Sequence, residues 1–353
     1  MKDEILMLIP TLHLTGGAQD QLELLTFHLK KHGIPIKISS IYSKKDIQIK
    51  NNFFLNAFLK IKIFLKIRKL SKDHRIIHLH GLGESLYFVA FLSLFFRNKI
   101  IVKVPRSGTG SYINMLKTSF LRKFLFLMSQ KRITFFIALT RDCIKELMDI
   151  GVHENKIKKI PNGVEVPNKY SKEFNEVIKI AFAGRLIKRK KVHHILNSLK
   201  PILNSKYPKF QLYIIGDGPE REKLIVLSKA LNLDKLTVFT GEIDNPDVLD
   251  LFKKSDVFIL PSESEGMSNA LLQACANGCI PIVRNISQNR DVITDENGFL
   301  FDNICEISDF LKRLDDEVLR KRISTAAFQN MKENFDIKKI SLDYKILYEE
   351  INN

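Results

Sequence analysis

The chain has 353 residues, of which 45% are hydrophobic and 27% charged, with no long low-complexity tract. That composition excludes a disordered or fibrous protein and leaves room for two α/β domains of ordinary size. The formal net charge of +17 is unevenly placed: residues 1–170 hold 29 Lys and Arg against 12 Asp and Glu, whereas residues 171–353 hold 27 of each. A basic first half can attract nucleic acid, an anionic membrane surface or a phosphorylated substrate, and a merely solvated basic face is the plainer alternative.

The opening stretch MKDEILMLIP carries acidic residues where a secretion signal carries only basic ones, so cytoplasmic residence is expected. In chain order, apolar runs at 4–10, 36–42, 75–80, 99–105 and 134–140 read as strands, with amphipathic helical stretches between them. Gly16-Gly17 falls at the first strand-to-helix turn, where glycine lets backbone approach a phosphate. The segment 50–70 places Phe53, Phe54, Phe58, Ile61 and Leu65 at roughly helical spacing among Lys60, Lys62, Lys66, Arg68 and Lys69. It reads either as a helix lying in an anionic bilayer surface or as a core helix. His78 and His80 end the strand RIIHLH; no third ligand at metal spacing accompanies them, and His80 is a candidate cleft residue. The apolar run 86–96 is well short of the roughly 20 residues that span a bilayer and reads as a core helix.

Two prolines and a glycine in IPNGVEVPNKYS, residues 160–171, mark an interdomain linker. A second strand series follows at 177–184, 210–216, 235–241, 256–261 and 279–283, and 335–351 has the spacing of a final helix. Strands alternating with helices in both halves imply parallel sheets covered on both faces. The expected organisation is an N-terminal domain over 1–165, a second over 172–334, and a terminal helix over 335–353 that packs back toward the first. The four cysteines, Cys143, Cys275, Cys279 and Cys305, match no zinc or redox spacing and are expected to be reduced and buried.

Two stretches carry the chemistry. In PSESEGMSNALLQACANGCIPIV, residues 261–283, a strand ends in a loop holding Glu265, Gly266, Met267, Ser268 and Asn269, and a helix begins near Asn269. A loop leading into a helix N-terminus beyond a parallel strand is suited to a sugar diphosphate. Glu265 and Gln273 stand eight residues apart, so a helical segment between them would point both toward one elongated ligand. In AFAGRLIKRKKVHHILNSL, residues 181–199, a strand end passes through Gly184 to Arg185, Lys188, Arg189, Lys190 and Lys191. Cations at a strand mouth can neutralise a diphosphate leaving group. No Asp-x-Asp pair occurs, so neither a metal nor another cofactor is expected.

These motifs resemble the family-4 retaining glycosyltransferases of the GT-B fold. Gly16-Gly17, IPNGVEV, AGRLIKRKK, IIGDGPEREKL, VFTGEI, SEGMSNALLQA and ENGFLF fall in that family's order and span nearly the whole chain. The resemblance implies two Rossmann-like domains whose parallel sheets face each other across a cleft, with the nucleotide-sugar donor in the second and the acceptor at the first. It implies that Arg185 and Lys190 neutralise the donor diphosphate, that Glu265 hydrogen-bonds the donor sugar, and that Gln273 holds the ribose. The chain departs from the family pattern in three places. Gln273 stands where a Glu is usual, which forgoes a charge-assisted bond. VPRSGTG, with Pro105, Arg106 and Ser107, replaces a sugar-contacting His, and Lys191 replaces a glycine.

The function implied is transfer of a hexose or N-acetylhexosamine from a nucleotide sugar, UDP ahead of GDP, in lipopolysaccharide O-antigen or capsule synthesis. The expected acceptor is a glycan carried on a lipid such as undecaprenyl diphosphate, reached from the anionic surface of the inner membrane. The competing reading is a nucleotide-sugar-binding protein without transferase activity. The basic residues form no recognisable nucleic-acid motif, and no nucleic-acid partner is expected.

Overall fold

A computed structural model describes residues 4–11, 17–42, 53–106, 111–117, 119–203 and 209–352. The chain forms two compact units, Met1–Gly163 with Ile337–Asn353, and Val164–Asp336. Each is built on one six-stranded parallel sheet.

In the first unit the strands are β1 (Ile5–Thr11), β2 (Ile36–Tyr42), β3 (Ile76–His80), β4 (Lys99–Val104), β5 (Ile133–Ala138) and β6 (Ile157–Lys159), in the order β2-β1-β3-β4-β5-β6. The helices are α1 (Gly17–Lys31), α2 (Phe53–Asp73), α3 (Glu84–Phe96), α4 (Tyr112–Lys117), α5 (Phe120–Gln130) and α6 (Arg141–Asp149). The inner strands β1, β3, β4 and β5 are mainly apolar because helices cover both faces of the sheet. One face packs Leu79, Val102 and Phe136 against α2, α3 and α5; the other packs Ile76, Ile101 and Ile137 against α1 and the terminal helix.

In the second unit β7 (Ile178–Ala183), β8 (Phe210–Ile215), β9 (Thr237–Gly241), β10 (Val257–Leu260), β11 (Ile280–Arg284) and β12 (Phe299–Phe301) take the order β12-β11-β10-β7-β8-β9. Helices α7 (His193–Leu199), α8 (Arg221–Ala230), α9 (Asn245–Lys254), α10 (Asn269–Ala276) and α11 (Ser287–Arg290) lie between them, and α12 (Cys305–Arg313) and α13 (Glu317–Asn330) follow β12. A π-helical turn over Met331–Phe335 then leads into α14 (Ile337–Asn352).

Helix α14 belongs to the first unit. Ile337, Ile340, Tyr344, Leu347, Tyr348 and Ile351 recur at i, i+3 and i+4 and are buried in that unit's core, the signature of an amphipathic helix closing a sheet face. Its entry is fitted to Gly163, where an added Cβ would lie 2.6 Å from Ile337 Cδ1. Gln21 clamps the same glycine: its Nε2 donates to the Gly163 carbonyl at 2.6 Å, and its Oε1 accepts from the Gly163 amide at 3.3 Å.

Two details differ from the sequence expectations. The edge strands β6 and β12, three residues each, are absent from the sequence reading because a three-residue run carries too little periodicity to separate strand from loop. Cys143, Cys275 and Cys279 are buried, but Cys305 is exposed at the first turn of α12.

Candidate active site

The second sheet runs outward from β7 in two directions: β8 and β9 on one side, then β10, β11 and β12 on the other. The reversal falls between the neighbours β7 and β10, and the crevice beyond the carboxyl ends of strands at such a point is where open α/β sheets bind ligands. It brings together two loops 75 residues apart in sequence, 184–191 after β7 and 261–268 after β10.

After β7 the chain passes Gly184 (φ +150) and makes a 3₁₀ turn over Lys188–Lys190. Lys190 Nζ lies 2.6 Å from Glu265 Oε1, and Arg189 Nη1 is 3.6 Å from Glu265 Oε2 while donating to the Ser264 carbonyl. Glu265 is 7% exposed, so its carboxylate is neutralised by these two cations rather than by water. The Lys190 ammonium also covers Gly184, where an added Cβ would lie 3.7 Å from it. Arg185, next in the chain, is exposed, and no carboxylate among the described residues pairs with it. The loop therefore carries one guanidinium that no described carboxylate holds and a lysine held by a carboxylate.

Lys191 adopts the left-handed conformation (φ 49, ψ 37), which explains why glycine suits this position. Here the lysine accepts that backbone and pairs with Glu263 at 2.9 Å. The backbone is tied across the same gap, since the Glu263 amide donates to the Arg189 carbonyl at 3.1 Å.

The loop from Glu265 to Ser268 is not helical; α10 starts at Asn269, with Ser268 as its N-cap accepting from the Leu271 amide at 3.4 Å. The expectation that one helical segment aligns Glu265 and Gln273 is thus corrected, because only Gln273 stands on the helix. Met267 and Ser268 are buried beneath the loop, and Gly266 and Asn269 are half-buried. Gln273 donates from Nε2 to Asn245 Oδ1 at 3.0 Å. Asn245, the first residue of α9, carries no signal of such a role in the sequence, because it precedes a proline and reads as a helix start.

A second loop supports the first. Gly216 (φ +121) and Gly218 (φ +156), after β8, approach the Gly184–Leu186 backbone so closely that an added Cβ would lie 2.3 Å from the Gly184 carbonyl oxygen and 2.4 Å from that of Leu186, respectively. The Leu186 amide donates to the Asp217 carbonyl at 2.8 Å, and the Glu220 amide to the Leu186 carbonyl at 3.0 Å. These glycines hold the backbone on which Arg185 sits.

In the first unit, Gly16 lies outside the described residues and Gly17 is the exposed first residue of α1. His80 ends β3 with its ring 4.3 Å from that of His78 and its Nε2 buried, and Arg106 follows the end of β4, half-buried. In α2, Leu59, Ile63 and Ile67 face the core, while Ile61 and Leu65 are exposed among Lys60, Lys62, Arg68 and Lys69. The side chains of Phe53, Phe54 and Phe58 lie outside the described residues.

Gln273→Glu is expected to preserve or tighten nucleotide-sugar binding in titration calorimetry, because a carboxylate keeps an acceptor oxygen in place and adds charge. A severe loss of affinity would mean that this helix position does not face a ribose.

Residues 168–334 match the model of the family described as glycosyl transferases group 1. The chain is 24% identical to the capsular polysaccharide biosynthesis glycosyltransferase CapH of Staphylococcus aureus, over 94% of this chain and 87% of that one. It is 32% identical to the Escherichia coli UDP-Gal:α-D-GlcNAc-diphosphoundecaprenol α-1,3-galactosyltransferase, over 50% of this chain and 49% of the other. The crystal structure of Anabaena HepE in complex with UDP shares the fold, with a TM-score of 0.78 and 16% identity over 99% of this chain and 100% of that chain.

Proposed function

We propose that the chain, whose residues 168–334 match the group 1 glycosyltransferase family, transfers a hexose or N-acetylhexosamine from a UDP-sugar, with retention of anomeric configuration and without a metal. The acceptor is a lipid-linked glycan of a surface polysaccharide such as capsule or O-antigen. The observation that carries this reading is the pairing of Lys190 with Glu265, in the loop that also carries Arg185, at the reversal point of the second sheet. Two fixed cations there suit a diphosphate on which charge grows as the bond to the sugar breaks. The acceptor hydroxyl attacks from the face the diphosphate leaves: its oxygen bonds the anomeric carbon, the bond to the diphosphate breaks, and the hydroxyl proton passes to the departing phosphate oxygen. The protein contributes orientation and charge stabilisation. A UDP donor accords with the UDP bound to HepE and the UDP-Gal in the name of the Escherichia coli relative, whose diphosphoundecaprenol acceptor supports the lipid. The test is transfer from UDP-sugars to diphosphate-linked glycans in the presence of EDTA. Donor binding without turnover across a broad acceptor panel would favour the reading as a sugar-nucleotide-binding protein.

For a lipid-linked acceptor we place the first unit on the cytoplasmic face of the inner membrane. No described helix is long and apolar enough to cross a membrane. The neighbouring helices α2, α3 and α5 expose Ile61, Leu65, Phe95, Phe120, Leu121 and Phe124, with Phe120 88% exposed. Lysines and arginines of α2 and α5 surround them, and each basic residue near anionic lipid contributes about 1 kcal/mol. The protein is expected to sediment with anionic liposomes at low salt and to be released at high salt, and the triple variant with Lys62, Lys66 and Lys69 changed to Glu is expected to bind less. Wild-type protein that stays in the supernatant at low salt would exclude membrane docking and point to a soluble acceptor.

A further inference from the structure

At the carboxyl edge of the first sheet, Lys103 of β4 stands in register with His80, the last residue of β3. The two side chains therefore leave the same face side by side, at the edge where parallel sheets bind ligands. Lys103 is 6% exposed, and no carboxylate among the described residues pairs with it; its ammonium lies 5.8 Å from the Tyr344 ring. Burial lowers its pKa to about 8, so it remains a cation at neutral pH. Around it, His80 Nε2, His78 Nε2 and the Tyr344 hydroxyl are buried without hydrogen-bond partners, while His78 Nδ1 shares a 2.7 Å bond with the Tyr348 hydroxyl. Burial above all, with the neighbouring Lys103 charge, lowers both histidine pKa values, so the imidazoles are neutral and each has one N–H to donate. A buried cation with no counter-charge among the described residues, beside orphaned polar groups, is costly to keep, and an external anion removes that cost.

We propose that Lys103 and His80 form an anion-binding pair in the first unit that takes a phosphate oxygen of the glycosyl acceptor. Lysine suits this task as a compact point charge, and Arg106, two residues beyond β4, brings a second cation to the same edge. The assignment to the acceptor rests on the transferase reading above; the anion site itself does not.

The pair is tested by titrating inorganic pyrophosphate into the full chain carrying Arg185→Ala, which weakens the donor site, while following the histidine side chains by NMR. The His80 resonances are expected to shift, and adding Lys103→Met is expected to raise the Kd about ten-fold or more, whereas Lys103→Arg retains binding. Lys103→Met removes an unpaired buried charge, so its melting temperature is expected to be unchanged or higher. An unchanged Kd in folded Lys103→Met, or His80 resonances that do not move, would overturn the site. In transfer assays, Lys103→Met is expected to raise KM for a diphosphate-linked acceptor about ten-fold and leave KM for the donor unchanged. If pyrophosphate binding depends on Lys103 but the acceptor KM does not, the pair is a free-phosphate site and the acceptor assignment fails. If no transfer occurs with any acceptor, the transferase reading fails while the pyrophosphate titration still decides the pair.

Discussion

Arg185→Ala and Lys190→Ala are each expected to lower kcat/KM by about 2 to 4 kcal/mol of transition-state stabilisation, the scale of removing one preorganised electrostatic donor. Their effects on stability differ, and the difference identifies the cause. Arg185 is exposed and pairs with no described carboxylate, so its removal is expected to change unfolding free energy by no more than about 0.5 kcal/mol. Lys190 is the nearest partner of the buried Glu265, so Lys190→Ala leaves a carboxylate with only Arg189 at 3.6 Å and is expected to destabilise the chain as well. Adding Glu265→Gln to Lys190→Ala removes the stranded charge, and is expected to recover stability without recovering turnover. Steady-state kinetics and urea unfolding of the three variants check this. Near wild-type kcat/KM in either single variant would mean that the diphosphate does not sit there.

Gly216→Ala is expected to destabilise the chain by about 2 to 5 kcal/mol, combining a side chain forced to positive φ with a backbone collision. At φ +121 its Cβ would lie 2.3 Å from the Gly184 carbonyl oxygen and 3.0 Å from the carbonyl carbon, and neither is a flexible side-chain end that can move aside. Relief requires the Gly184–Leu186 backbone to retreat, which carries Arg185 with it, so kcat/KM is expected to fall alongside stability. Urea unfolding gives the size of the effect. A loss below about 0.5 kcal/mol would mean that the two loops do not touch.

The two-sheet α/β fold is legible in the sequence because strands such as IIVKV and VFIL are nearly unbroken apolar runs, which only sheets covered on both faces require. The meeting of Lys190 with Glu265 is not, since it depends on β10 returning to lie beside β7, and sequence order alone does not specify that neighbour. The spacing of Glu265 and Gln273 misleads for a related reason: the Ser268 cap delays the helix, so three of the intervening residues belong to the loop. Lys191 has no readable purpose in sequence and a clear one in the fold, where left-handed backbone aims it at Glu263. Lys103 lies inside what reads as an ordinary strand. Its lack of a partner becomes visible only when β3, β4 and α14 are assembled around it.

The most direct measurement is the anomeric configuration of the transferred sugar, read by NMR from a reaction of the purified chain with a UDP-sugar and a diphosphate-linked glycan in EDTA. The expected result is a product with the donor's own anomeric configuration, formed at the same rate with and without the chelator, and lost in Arg185→Ala. An inverted product, a rate abolished by EDTA, or donor binding without any product would contradict retaining, metal-free transfer at the Arg185, Lys190 and Glu265 site.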